Sequence, residues 1–115
     1  MERGAKILAK QFGCAILLKG GHLRGENAVD FLFHKGQLKQ FSAPFIRGLA
    51  THGTGCTYSA AITAGLACGL SLEKAVARAK KFVSETIAEH FRWPRVSGNI
   101  DALNHAKKRV RVCTA

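Results

Sequence analysis

The residues best suited to chemistry lie in Thr51 to Ala61, THGTGCTYSAA, where a glycine-rich turn runs into a helix-like segment with a thiol at the junction. Such a turn suits phosphate, because the unpaired backbone N–H groups of a first helical turn converge there and the helix dipole favours negative charge. Gly53 and Gly55 let the backbone close on an oxygen without a Cβ in the way. The turn is neither a GxxxxGK[ST] P-loop nor a dinucleotide-binding GxGxxG. A glycine-capped helix start needs no ligand, so on its own the turn leaves both options open. Lys19 adds a second anion-seeking group. It follows the apolar run CAILL, Cys14 to Leu18, and precedes Gly20 and Gly21, which places its ammonium at the carboxyl end of a buried strand, where open α/β sheets bind ligands. A strand-end lysine is ordinarily a solvated terminator. Two such features expected at one sheet edge favour a site over that alternative.

Several elements must position these residues. Ala5, Ile7, Leu8 and Phe12 recur at roughly helical spacing ahead of Gly13, a natural left-handed C-cap, and predict a short helix over residues 2 to 12. CAILL reads as a strand covered on both faces. AVDFLF and LKQF flank HKGQ, where Gly36 can supply the positive φ of a tight hairpin turn. CTYSAAITAGLACG is rich in small residues on almost every side, suiting a buried helix close against a sheet, with Gly69 as its stop. Ser71 then caps a second helix, whose stripe Leu72, Ala75, Val76, Ala79, Phe82, Val83, Ile87 and Phe91 opposes Lys74, Arg78, Lys81 and Glu85. Trp93-Pro94 is expected to end it. The order helix, strand, hairpin, two helices is an α/β pattern, yet one buried strand and a hairpin make a sheet too narrow to cover the apolar helix. Upstream sequence or a partner is expected to complete it.

With 115 residues and 47% hydrophobic content, one domain is the most the chain can build. No apolar run of about 18 residues is present and the start lacks a signal-peptide core, which points to a cytoplasmic protein with no membrane partner. Cys14, Cys56, Cys68 and Cys113 have no CxxC or His-linked ligand spacing and are expected to be reduced. The 18 Lys and Arg against 7 Asp and Glu give +11, much of it in the tail from Lys107 to Ala115, which is expected to fray. Such a charge suits nucleic acid or small phosphates. Nucleic acid is the weaker candidate, since aromatic and basic residues are not interleaved.

The segments LLKGGHL and FSAPFIRGLATHGTGCTYSAAITAGLACGLSLEKAVARAKKFV resemble the C-terminal half of the bacterial hydroxymethylpyrimidine and phosphomethylpyrimidine kinases of thiamine biosynthesis, within the ribokinase-like superfamily. The similarity runs through about residues 1 to 90, and SGNIDALNHA resembles the family's short C-terminal segment. The resemblance implies a mostly parallel α/β/α sandwich, of which residues 1–106 are the C-terminal portion. It also implies transfer of the ATP γ-phosphoryl group, first to the pyrimidine's hydroxymethyl group and then to the resulting monophosphate. Gly53, Thr54, Gly55 and Cys56 match the family's anion hole, and Lys19 its lysine that reaches the nucleotide phosphates, with Thr54 and Gly55 serving the nucleotide as well. Cys56 stands where most ribokinase-type enzymes keep an aspartate base. Its sulfur therefore takes or orients the hydroxymethyl proton, unless the residue matters only through its amide.

The resemblance also implies Mg2+, held by an acidic motif in the family's N-terminal half. Glu26, Asp30 and Asp101 do not match that motif, so no metal ligand is assigned. This chain is expected to supply the nucleotide and anion-hole portion, to be inactive alone, and to need the remaining half or an oligomeric partner. The competing possibility is a non-catalytic module that binds phosphate or a partner.

Overall fold

A computed structural model describes residues 1–20, 25–49 and 51–106. The tail from Lys107 lies outside the described residues. The chain divides into two compact units, Met1–Phe45 and Ile46–Ala115.

In the first unit, α1 (Glu2–Phe12) ends at Gly13, whose φ of 63° is the expected left-handed cap, with its N–H donating to Ala9 O. The helix turns Ala5 fully inward and leaves Ile7 and Phe12 more than half exposed; the face that packs is therefore narrower than the apolar set in the sequence. The sheet has three strands, β1 (Ile16–Leu18), β2 (Asn27–His34) and β3 (Gln37–Pro44), in the order β1-β2-β3. Both pairings are antiparallel, with registers running from Ile16↔Phe33 to Leu18↔Phe31 and from Asn27↔Pro44 to His34↔Gln37. The β2–β3 turn is the expected one, with Lys35 at φ 49° and Gly36 at φ 76°. The β2–β3 hairpin is antiparallel as expected, and β1 joins β2 antiparallel as well; the mostly parallel sheet is implied for the whole superfamily fold, of which this chain is a portion. One expectation fails here: CAILL contributes just three strand residues, all half-buried, rather than a strand covered on both faces.

In the second unit, α2 (Thr54–Ala67) packs on α3 (Leu72–Ala88). The contact is close because Gly65 lacks a side chain: a Cβ there would stand 3.1 Å from Ala75 Cβ and 3.3 Å from its Cα. Gly69, at φ 80°, stops α2 as expected, with Leu70 N–H donating to Gly65 O at 3.0 Å. Ser71 caps α3, its hydroxyl accepting from Lys74 N–H at 3.4 Å. Ala75, Val76, Ala79 and Val83 form the buried stripe. Of α2, Tyr58 and Gly65 are buried, far less than expected of a helix apolar on almost every side.

The chain after α3 also departs from expectation. The helix ends at Ala88, and Phe91 belongs to a strand. β4 (Phe91–Arg95) and β5 (Gly98–Ala102) form an antiparallel hairpin. Pro94 is tolerated because each strand of a two-stranded ribbon is an edge, where a missing N–H costs no ladder bond. Arg92 reaches from β4 to buried Asp101 on β5, Nε donating to Oδ1 at 2.7 Å and Nη2 to Oδ2 at 3.3 Å. Hydrogen bonding and charge from Asp101 raise the Arg92 pKa further. His90 Nε2 stands 3.6 Å from the same Oδ1.

Candidate functional site

Gly53, Thr54, Gly55 and Cys56 form one continuous turn at the start of α2. Gly53 is the N-cap, at φ 85° and ψ 1°, a left-handed conformation that costs an L-residue roughly 1–2 kcal/mol. It brings no capping side chain, and the first turn contains no acidic residue. The first intrahelical bond runs from Thr57 N–H to Gly53 O at 2.9 Å. The amides of Thr54, Gly55 and Cys56 precede that bond and point out of the helix start, where the dipole is positive. Gly53 and Cys56 are exposed and Thr54 and Gly55 half-buried, so an anion can reach these amides from solvent.

The second unit holds the turn from both sides. Just upstream, Thr51 pairs with Asp101 in an isolated parallel bridge. Just downstream, the Thr57 hydroxyl lies 3.0 Å from His105 Nε2. The His105 ring in turn packs at a tilt on Phe82 of α3, with centroids 6.4 Å apart, and Asn104 N–H donates to Thr86 O at 3.2 Å. Thr51, Thr57, Asp101 and His105 thus support the turn without having been singled out as site residues. The signal for two of them was the segment SGNIDALNHA, but which residues it would touch depends on the path of the chain after α3.

Lys19 belongs to the other unit. It follows β1 directly and is exposed, while Gly20 next to it is buried and donates its N–H to Asp30 Oδ1 at 3.0 Å. Cys14 and Cys56 are free, exposed thiols. Cys68 is disulfide-bonded, against the expectation of four reduced thiols; bridging depends on Cα separation in the fold, which spacing along the chain does not reveal. No group of three or more His, Cys, Asp and Glu side chains among the described residues could hold a metal ion. No helix among the described residues is long and apolar enough to cross a membrane.

This arrangement, a mixed α/β segment with an anion-ready helix start, matches part of the ribokinase-like pyridoxal kinases. Superposed on the Staphylococcus aureus pyridoxal kinase in complex with AMP-PCP and pyridoxal, it gives a TM-score of 0.83 at 29% identity, covering 96% of this chain and 40% of that one. The profile of the phosphomethylpyrimidine kinase family matches residues 1–101, and the chain belongs to that family. It is 43% identical over 88 residues to the hydroxymethylpyrimidine/phosphomethylpyrimidine kinase of Rhizobium meliloti, covering 76% of this chain and 33% of the relative. It is also 37% identical over 91 residues to the pyridoxine kinase of Bacillus subtilis, covering 79% and 34%. The chain thus spans about a third of the length of these relatives.

Proposed function

We propose that the chain supplies the nucleotide and anion-hole portion of an ATP-dependent kinase acting on hydroxymethylpyrimidine and then on its monophosphate in thiamine biosynthesis. The observation that carries this proposal is the left-handed Gly53 start of α2, which leaves three amides ahead of the first helical bond, with no acidic residue in the first turn. Phosphoryl transfer passes through a loose transition state with charge spread over the phosphoryl oxygens, so fixed N–H donors are what the reaction most needs from the protein. The Thr54, Gly55 and Cys56 amides receive that charge, and Lys19 meets the nucleotide phosphates. The substrate hydroxyl oxygen bonds to the γ-phosphorus as the bond to the leaving ADP oxygen breaks. The hydroxyl proton passes to, or is oriented by, Cys56 Sγ. In the second transfer the acceptor is an oxygen of the monophosphate.

Support for the activity comes from the family, and support for nucleotide use from the AMP-PCP held by the Staphylococcus aureus kinase. The similarity to a pyridoxine kinase favours one second reading, a pyridoxine-type alcohol as acceptor in place of the pyrimidine.

The test combines binding and turnover. ADP added to the 15N-labelled chain is expected to shift the amide signals of Thr54, Gly55 and Cys56. Turnover alone is expected to be negligible, because the acceptor must be positioned against the anion hole. Co-expression with the part of the Rhizobium meliloti enzyme that this chain does not span should restore phosphorylation of hydroxymethylpyrimidine above pyridoxine. Unmoved helix-start amides at millimolar ADP would sink the proposal. Binding without restored turnover would leave the non-catalytic module, and faster turnover of pyridoxine would select the second reading.

A further inference from the structure

Asp30 is a carboxylate with 2% exposure on β2, next but one to Leu32, which is equally buried. A charge at such a position costs several kcal/mol in lost hydration unless the fold uses it. Among its partners is the backbone N–H of Gly20. The β1–β2 ladder ends at Leu18↔Phe31, so one further step of the same register sets Lys19 opposite Asp30. The chain leaves the ladder at this point, but Gly20 stays buried, and a buried N–H needs an acceptor. Asp30 Oδ1 provides it at 3.0 Å, continuing with a side chain what the strand no longer offers with its backbone.

We propose that Asp30 is the positioning residue for Lys19: by holding the Gly20 amide it fixes the backbone from which the lysine side chain projects. This inference rests on the assignment of Lys19 to the nucleotide phosphates. Lys19 is pinned on both sides, by the Leu18 ladder pair before it and by the Gly20–Asp30 bond after it. Only its own side-chain torsions remain to be ordered when phosphate arrives, which lowers the entropic cost of the contact. Without the carboxyl oxygen, a buried amide loses its acceptor and the backbone at Gly20 opens to seek water. Asp30 itself touches no substrate.

The test uses the full 115-residue chain, labelled with 15N, with ATP as the probe. Hydrogen exchange is read at the Gly20 amide, with Leu32 and Lys39, a hydrogen-bonded pair of the β2–β3 ladder, as controls, and ATP affinity is read by chemical-shift titration. Asp30→Ala should speed Gly20 exchange about tenfold or more with the controls unchanged, as expected for a buried amide left without its acceptor. It should weaken ATP binding as much as Lys19→Ala does, and the double variant should be no weaker than either single one. Asp30→Asn keeps an accepting oxygen and should restore both readouts to near the parental values, which a general loss of stability would not do.

Unchanged Gly20 exchange in Asp30→Ala overturns the proposal, as does faster exchange with ATP affinity unaltered while Lys19→Ala still weakens it. If Lys19→Ala has no effect on ATP while Gly20 exchange rises in Asp30→Ala, the anchoring stands and the nucleotide role of Lys19 falls. Should Asp30→Ala also expose the controls, Asp30→Asn decides: protection and affinity both retained support the proposal, and Gly20 protection lost with affinity retained overturns it.

Discussion

Cys56 is the residue on which the proposed chemistry turns, and the presence of a second exposed thiol makes it accessible to a direct comparison. Cys14 and Cys56 are both free and exposed, but Cys56 alone has its amide in the proposed anion hole. ADP is therefore expected to slow iodoacetamide labelling of Cys56 and leave Cys14 unchanged, as read from the two cysteine-bearing peptides by mass spectrometry. Equal labelling rates with and without nucleotide would detach Cys56 from the phosphate site. The four residues of the turn were legible in the sequence because glycine spacing and a helix start are local properties. Thr57 and His105 were not, since a 3.0 Å contact between residues 48 apart is set by where the chain returns after α3.

Among the elements, α3 was the most readable and α2 the most misleading. The α3 stripe repeats with helical period and Ser71 offers its cap, so sequence and structure agree from Leu72 to Ala88. The helix α2 is apolar or small nearly all round, which gives no information about which side packs. The structure chooses the Gly65 side, since that is where the backbones can approach. Gly65→Val is expected to destabilise the second unit by about 1–3 kcal/mol, the usual cost of overpacking, because the nearest neighbours are the Cβ and Cα of Ala75. Urea unfolding followed by circular dichroism would measure it, and a midpoint equal to the parent's would show that the two helices separate freely. The β4–β5 hairpin escaped the sequence reading because Trp93-Pro94 looks like a helix terminator. Pro is equally at home in an edge strand, and only the pairing with Asn99 distinguishes the two.

At the scale of the whole molecule, the β4–β5 hairpin presents apolar side chains to solvent. Phe91, Trp93 and Val96 are each close to half exposed or more, and Phe91 and Trp93 also pack on one another with ring centroids 5.7 Å apart. Contiguous exposed apolar surface drives association, so light scattering on the purified chain is expected to show a mass that rises with concentration; a constant monomer mass would contradict this. The sequence by itself determined the family, the glycine-led start of α2, the caps at Gly13, Gly69 and Ser71, and the α3 core stripe. Each of these depends on residues a few positions apart, where backbone geometry and side-chain type act together. Tertiary structure alone decided that β1 joins β2 antiparallel, that Phe91 to Ala102 form a hairpin, that Gly65 rather than another small residue faces α3, and that buried Asp30 takes the Gly20 amide. It also decided that Asp101 joins Thr51 to the hairpin. These features depend on which distant segments meet, and burial makes such meetings energetically decisive, because a polar group removed from water must find its partner in the folded chain.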